Sequence, residues 1–474
     1  MRTKNIGTVL LITIILASCA PVAQPMPTET AIPTATLTLI PIPLTPTITP
    51  TPTPENLADA KDLSNWVDDY VHAFGGKVTV DGIEMDTSQL TDEIRKNEEA
   101  FTQVEAVNGV EYMFLVVDDV PLAIRSENKW EHIPIKWLAD KLDLKIGTNF
   151  STPYYDESTR KKTEQLAISE FNHALIDSID WWQTEPSEGN FNFSNPDRAV
   201  NLALANDMSI EGENLITPWS FRYVPYLQDY IDKVNKGEIS KEQARDGAIQ
   251  IMRSHIVSIM THYKGKIAQW VVTLEQDSRG PTNGGSDMFT ELVGTDYVDI
   301  AFEIARETDP QAILYYNDSY NETRNGWKYQ PTLKIIRRLK EKNLIDAVGV
   351  EMHLEGVNPP NKDEIIATLK SYEIRVIISS VDINMKDVKG SPEERNQIQA
   401  QILQTIFEAA MESGVCKDFY FWEGLGDKNN WLERMDMPGM SSANADPTIF
   451  DDNLRPKPSY FALKKILFRM YMNP

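Results

Sequence analysis

From about residue 141 onward, short apolar runs alternate with longer amphipathic stretches. The runs are LKIGTNF (144–150), ALIDSIDWW (174–182), MSIEGENLI (208–216), AQWVVTLE (268–275), AILYYND (312–318), DAVGVEMH (346–353), RVIISSVDI (375–383) and DFYFWEGL (418–425). Between them lie helix-like segments such as DRAVNLALAND, EQARDGAIQIMRSHIVSIMTHY, YVDIAFEIARE and TLKIIRRLKEK. Continuous apolar strands separated by amphipathic helices imply a parallel sheet covered on both faces. Eight such units predict an α/β fold, a closed (β/α)8 TIM barrel over 141–474. A barrel of this kind carries its chemistry where the strands end, on the C-terminal face. Glu275, Asp318, Glu351, His353 and Asp382 all fall at such ends.

Upstream the pattern changes. Residues 56–140 open on a helical stretch (57–74) followed by strand-like runs such as KVTVDGIEM and VEYMFLVVDD, then DVPLAIRS and HIPIKWLADKL. They predict a small accessory α/β region without catalytic spacing. Residues 20–55 are rich in Pro and Thr, as in PLTPTITPTPTP, and cannot bury enough apolar surface to fold. Their prolines favour an extended linker at about 3.1 Å per residue, long enough to span about 110 Å. Residues 1–19 read as a secretory signal peptide: Arg2 and Lys4, an apolar run over 9–16, then LASC. A cysteine directly after Leu-Ala-Ser resembles the bacterial lipobox, which implies lipidation of Cys19 and a membrane-anchored lipoprotein on the bacterial cell surface. The remaining cysteine, Cys416, then has no disulfide partner and is expected to be buried.

An apolar share of 41% and ten tryptophans suffice for a large core. The net charge of −24 argues against nucleic acid as a partner and against direct adsorption to an anionic membrane surface. Membrane contact is therefore expected through the lipid anchor only, and the chain is expected to be a monomer.

The chemistry is carried by longer motifs: WQTEPSEGNFNFSNPDRAVNLALANDM (182–208), HYKGKIAQWVVTLEQ (262–276), ILYYNDSYNE (313–322), IDAVGVEMHL (345–354), DKNNWL (427–432) and RPKPSYFAL (455–463). In this order they resemble the segments of glycoside hydrolase family 10, the xylanase family: W-x-x-x-EP-x-x-G-x-F-x-F, RY-x-GK-x-x-x-WDVVNE, LYYNDYN-x-E, IDGIGLQ-x-HL, D-x-x-SW and KPAY-x-A. The resemblance implies a polysaccharide or oligosaccharide substrate with β-1,4 linkages, cleaved with retention by two carboxylates about 5–5.5 Å apart. It places the acid/base on Glu275. A carboxyl at an apolar strand end tends towards a raised pKa, which suits that role.

The resemblance breaks at the second carboxylate. Where the family has TE-x-DI, this chain has Ser379-Ser380-Val381-Asp382-Ile383, so Ser380 stands in the nucleophile's place. A serine hydroxyl without an activating base is a weak nucleophile. The family's EN-x-MKW has become Ile176-Asp177-Ser178-Ile179-Asp180-Trp181, and its RGH-x-LVWH has become Glu211-Gly212-Glu213-Asn214-Leu215-Ile216-Thr217-Pro218, without either histidine. The glutamine two residues before His353 is Glu351. Asp177, Asp180, Glu213, Glu275, Glu351 and Asp382 are thus expected to converge at the barrel mouth. Asp177, Asp180, Trp181, Glu213, Asn317, Asp318, His353, Ser380, Trp422 and Trp431 are expected to line the sugar cleft.

Three accounts of this site stand. In the first, the chain is a glycosidase whose second carboxylate has moved to Asp382, Glu351 or Glu213. A separation of about 6.5–9.5 Å from Glu275 would suit inversion through an activated water. In the second, the barrel is a non-catalytic glycan-binding protein with an aromatic-lined cleft. In the third, Ca²⁺ or Mg²⁺ neutralises the converging acids, although no ligand spacing demands a metal and no other cofactor is expected. The first is favoured because Glu275 and the YYND segment persist.

Overall fold

The computed structural model describes residues 57, 60, 62–107, 110–126, 129–152, 155–216, 225–276, 288–423, 425–434 and 444–473. The signal peptide 1–19 with Cys19 and the linker 20–55 lie outside the described residues.

The accessory region begins with the helix Leu63–Ala73 and a hairpin of β1 (Val78–Val80) and β2 (Ile83–Met85). The helix Thr87–Lys96 follows, started by a capping box in which the Asp86 side chain accepts from the Gln89 N–H and Gln89 reaches back. Four antiparallel strands complete it: β3 (Thr102–Val107), β4 (Val110–Val117), β5 (Val120–Ser126) and β6 (Lys129–His132). A small sheet with one apolar face needs another layer to cover it. Here the C-terminal helix Pro458–Met472 supplies that layer. Phe114 of β4 packs edge-on against Phe468 at 5.0 Å, and Tyr70 against Phe461 at 5.3 Å. Arg455 pairs with Asp68 at 2.7 Å and Asp69 at 3.1 Å.

Eight parallel strands then close into a ring in chain order: β7 (Lys145–Asn149), β8 (His173–Ile176), β9 (Ser209–Gly212), β10 (Gln269–Leu274), β11 (Ile313–Asp318), β12 (Ala347–Glu355), β13 (Arg375–Asn384) and β14 (Cys416–Phe421). Each falls on one of the eight apolar runs, so the barrel follows from the hydrophobic pattern. Leu175, Val271, Tyr315, Ala347, Ile377 and Tyr420 fill its interior as a separate apolar cluster. Beside them, Glu211 accepts from Tyr315 Oη and Gln269 Nε2, each at 2.5 Å. The long helices Lys241–His262 and Pro392–Glu412 both start at serine capping boxes, on Ser240 and Ser391. Cys416 is buried as expected, and burial pushes its thiol up to about 12.

One irregularity bears on the site. Val350 of β12 pairs with Ile378 of β13, but the next residue, Glu351, pairs with Ser380. β13 therefore spends two residues, Ser379 and Ser380, on a single step of its neighbour, which is a β-bulge. Beyond it the register resumes, with His353 opposite Asp382.

Candidate active site

Glu275 follows the last residue of β10 in the left-handed region, at φ +42°. For a residue with a Cβ this conformation is strained, and such strain collects at functional sites. The turn is held at the backbone, where the Glu275 N–H donates to the Asn317 carbonyl at 2.9 Å. Ser319 Oγ donates to Glu275 Oε1 in a short hydrogen bond. Burial, then the neighbouring charges of Glu351 and Asp318, push the Glu275 carboxyl up to about 7. At neutral pH it is poised between acid and base, as general acid catalysis requires.

Asp318 stands behind it, fully buried. It accepts from Tyr316 Oη at 3.0 Å and Thr332 Oγ1 at 2.7 Å, and it pairs with the buried Lys328 at 3.2 Å. Lys328 Nζ also donates to the Gln276 carbonyl, one residue beyond Glu275. Burial raises Asp318 to about 6 even against the pull of Lys328. Asp318, expected to line the sugar cleft, is fully buried and held by Tyr316, Thr332 and Lys328.

A chain of polar contacts runs across the mouth from β11 to β13. Ser379 Oγ donates to Asn317 Oδ1 at 2.5 Å, and Asn317 Nδ2 donates to Glu351 Oε1 at 2.7 Å. His353 Nε2 lies 3.2 Å from Glu351 Oε2, and its Nδ1 lies 2.9 Å from Asp382 Oδ2. Trp431 Nε1 donates to the same Asp382 oxygen at 2.8 Å. Burial pulls the His353 pKa down, but Asp382 and Glu351 together hold it well above the ordinary histidine value. The chain needs Gly349: a Cβ there would lie 2.1 Å from Asn317 Oδ1. Asp382, expected as a catalytic candidate, is 1% exposed; its Oδ2 takes both His353 and Trp431, and its Oδ1 has no hydrogen-bond partner. It positions the histidine, which stands opposite it in the strand register.

On the other side of the mouth, Asp177 and Glu213 each follow the paired residues Ile176 and Gly212 of β8 and β9. Both carboxyls are buried, and Glu213 Oε2 has no hydrogen-bond partner. Burial and repulsion from Glu211, Asp177, Asp180 and Glu351 hold Glu213 well above the usual carboxylate range. Burial raises Asp180 to about 7, despite hydrogen bonds with Asn214 and Trp182. The acids thus gather as the strand ends predicted. Among the described residues no three His, Cys, Asp or Glu side chains are arranged to hold a metal ion, which gives the Ca²⁺ or Mg²⁺ account no geometric support.

Trp181 is a further correction. It is buried, stacked on His255 at 3.9 Å, and donates to Tyr226 Oη at 2.7 Å, so it is core and does not contact the cleft. Trp422 and Trp431 are half-buried, the first against the inner barrel cluster and the second edge-on to His353 at 5.3 Å. Ser380 is buried beside Glu351 in the strand register. Ser319, Lys328 and Ser379 were not among the predicted site residues. Ser319 carried one usable signal, since it interrupts the YYND–YN sequence next to a catalytic strand end.

The comparisons with known proteins agree with this fold. The profile of Glycosyl hydrolase family 10 matches residues 135–466. Endo-1,4-beta-xylanase B of Thermotoga neapolitana is 27% identical over 71% of this chain and 92% of its own length. Endo-1,4-beta-xylanase C of Paenibacillus barcinonensis is 30% identical over 77% of this chain, which spans 35% of that larger protein. The crystal structure of xylanase 10B from Thermotoga petrophila in complex with xylobiose superposes with a TM-score of 0.62 at 26% identity, over 72% of this chain and 99% of that one. With an eight-stranded barrel, acids at its strand ends and a profile match over most of its length, the chain belongs to glycosyl hydrolase family 10.

Proposed function

We propose that this glycoside hydrolase cleaves β-1,4-linked xylan or a related glycan, with Glu275 as general acid, Glu351 as the second carboxylate and a water molecule as nucleophile. The observation that carries this reading is the fixed carboxylate at Glu351, held on one oxygen by Asn317 and on the other by His353. It sits directly across the strand register from Ser380, where the xylanase-like motif would place a glutamate. In this reading the water stands between this carboxylate, set one strand aside next to a short serine, and the anomeric carbon. As the glycosidic bond breaks, Glu275 protonates the leaving oxygen. Water forms the new bond to the anomeric carbon and gives its proton to Glu351, so the anomeric configuration inverts. The named activities of the relatives, and the xylobiose in the Thermotoga petrophila complex, support the substrate class. Proton NMR of the first product from xylotetraose tests the assignment; product of retained configuration would reject it.

The pH dependence has a defined sign. The acid form of Glu275 is the active one, and it is lost as pH rises through about 7. On xylan, kcat/KM is expected to fall about tenfold per pH unit above that point. An aryl glycoside with a good leaving group does not need the proton, so its alkaline limb should flatten. An unchanged limb on both substrates would count against Glu275 as the acid.

Anchoring at the cell surface through Cys19 belongs to the same reading and is supported by the Leu-Ala-Ser-Cys segment at residues 16–19. Metabolic labelling with an alkyne fatty acid is expected to mark the full chain and to fail on Cys19→Ala. Equal labelling of both would remove the anchor.

A further inference from the structure

The corner formed by β8, β9 and β12 gathers more carboxyl groups than the hydrolysis of a neutral glycan uses. Asp177 and Glu213 are neighbours, each one residue past the hydrogen-bonded pair Ile176 and Gly212. Asp180 joins them through Asn214, the residue after Glu213, and Glu351 adds its charge from β12. Glu213 is 3% exposed, its Oε2 has no hydrogen-bond partner, and Asp177, Asp180 and Glu351 are among the charges acting on it. Among the described residues, neither Glu213 nor Asp180 forms an ion pair with a lysine or arginine. Leaving a buried carboxylate oxygen unpaired is unfavourable, and crowding like charges around it makes it more so.

Protonation of Glu213 relieves the repulsion within the corner itself; a bound cation would let the group ionise, and two kinds could serve. A bound metal requires oxygens converging at about 2.0–2.6 Å, and the described residues offer no such set of three. An ammonium group requires less. Its three N–H donors reach separate acceptors at hydrogen-bond length, and charge-assisted bonds to carboxylates are the strong ones. A neutral sugar hydroxyl could satisfy one oxygen but would not favour the ionised carboxylates.

We propose that this corner, centred on Glu213 with Asp177, Asp180 and Glu351 around it, receives the protonated amine of an amino sugar, so that the glycan taken by this hydrolase carries free amino groups along its β-1,4-linked chain. The inference rests on the cleft being the glycan site set out above, and it adds the chemical class of the sugar.

Calorimetry tests it, using the full chain with Glu275→Gln to prevent turnover. Three probes are compared: a β-1,4-linked glucosamine tetramer, its fully N-acetylated counterpart, and xylotetraose. The amino tetramer is expected to bind about tenfold to a hundredfold tighter than either neutral probe, the range of one hydrogen bond between charged partners. Adding Glu213→Gln should bring the ratio of affinities close to one. Should that variant fail to fold, Asp180→Asn is expected to narrow the same ratio. Equal or weaker binding of the amino tetramer would overturn the inference, as would saturable Ca²⁺ binding that Glu213→Gln abolishes. Cleavage of xylotetraose by the unmodified chain, with the amino tetramer neither bound nor cut, would sink this inference alone. Failure of all three sugars to bind would sink the glycan cleft with it.

Discussion

Glu351→Gln is expected to lower kcat on xylan by about 10²–10⁴-fold, the range for losing a positioned proton acceptor, with a much smaller change in KM. The amide keeps the shape and the Asn317 contact but cannot accept the proton of the attacking water. Glu275→Gln should fall in the same range on xylan. Ser380→Ala is the informative control: the hydroxyl is not the nucleophile in this scheme, so its removal should cost less than about tenfold, well under the loss of an essential group. A loss from Ser380→Ala as large as that from Glu351→Gln would transfer the second role to β13 and end the present assignment. His353→Asn separates positioning from chemistry, because it frees both Glu351 and Asp382 at once.

Lys328→Met is expected to destabilise the fold by about 3–5 kcal/mol, the cost of stranding one member of a buried ion pair. Asp318 is fully buried and Lys328 is 2% exposed, so neither charge can turn to solvent when the other is removed. The neutral hydrogen bonds from Tyr316 and Thr332 would remain, but they do not cancel a charge. Activity should fall in parallel, since Lys328 Nζ also holds the backbone just past Glu275. The double variant Lys328→Met with Asp318→Asn should recover much of the stability, because no buried charge is then left alone. Guanidinium unfolding midpoints check both. A single-variant loss below about 1 kcal/mol, the range of exposed ion pairs, would mean that Asp318 is reached by water.

The barrel was legible in the sequence because strands buried on both faces and amphipathic helices leave different periodic marks, and eight repetitions of that alternation fit one closed architecture. The placement of Glu275, Glu351, Glu213 and Asp177 at the mouth followed from the same rule. Roles that depend on depth were not legible. The pair Trp181-Trp182 reads as one aromatic patch, yet the first ring stacks inside on His255 while the second is half-buried. Asp318 and Asp382 sit at strand ends like true site groups, but Lys328 claims one and His353 with Trp431 claim the other. Lys328 lies 53 positions from Glu275, in a stretch whose pattern gives no hint of a buried cation. The bulge at Ser379 was also hidden, since strand periodicity carries no mark of an extra residue. It allows Ser379 to hold Asn317 while Ser380 faces Glu351 across the register.

The pairing of the accessory sheet with the helix Pro458–Met472 has a consequence for biogenesis. Phe114 meets Phe468 across 354 positions of chain, and Arg455 reaches Asp68 across 387. A chain without this helix would therefore lose the last helix of the barrel and the cover of the accessory sheet together. The fifteen-residue helix thus joins an early-made region to a late-made one, and neither is covered until it docks.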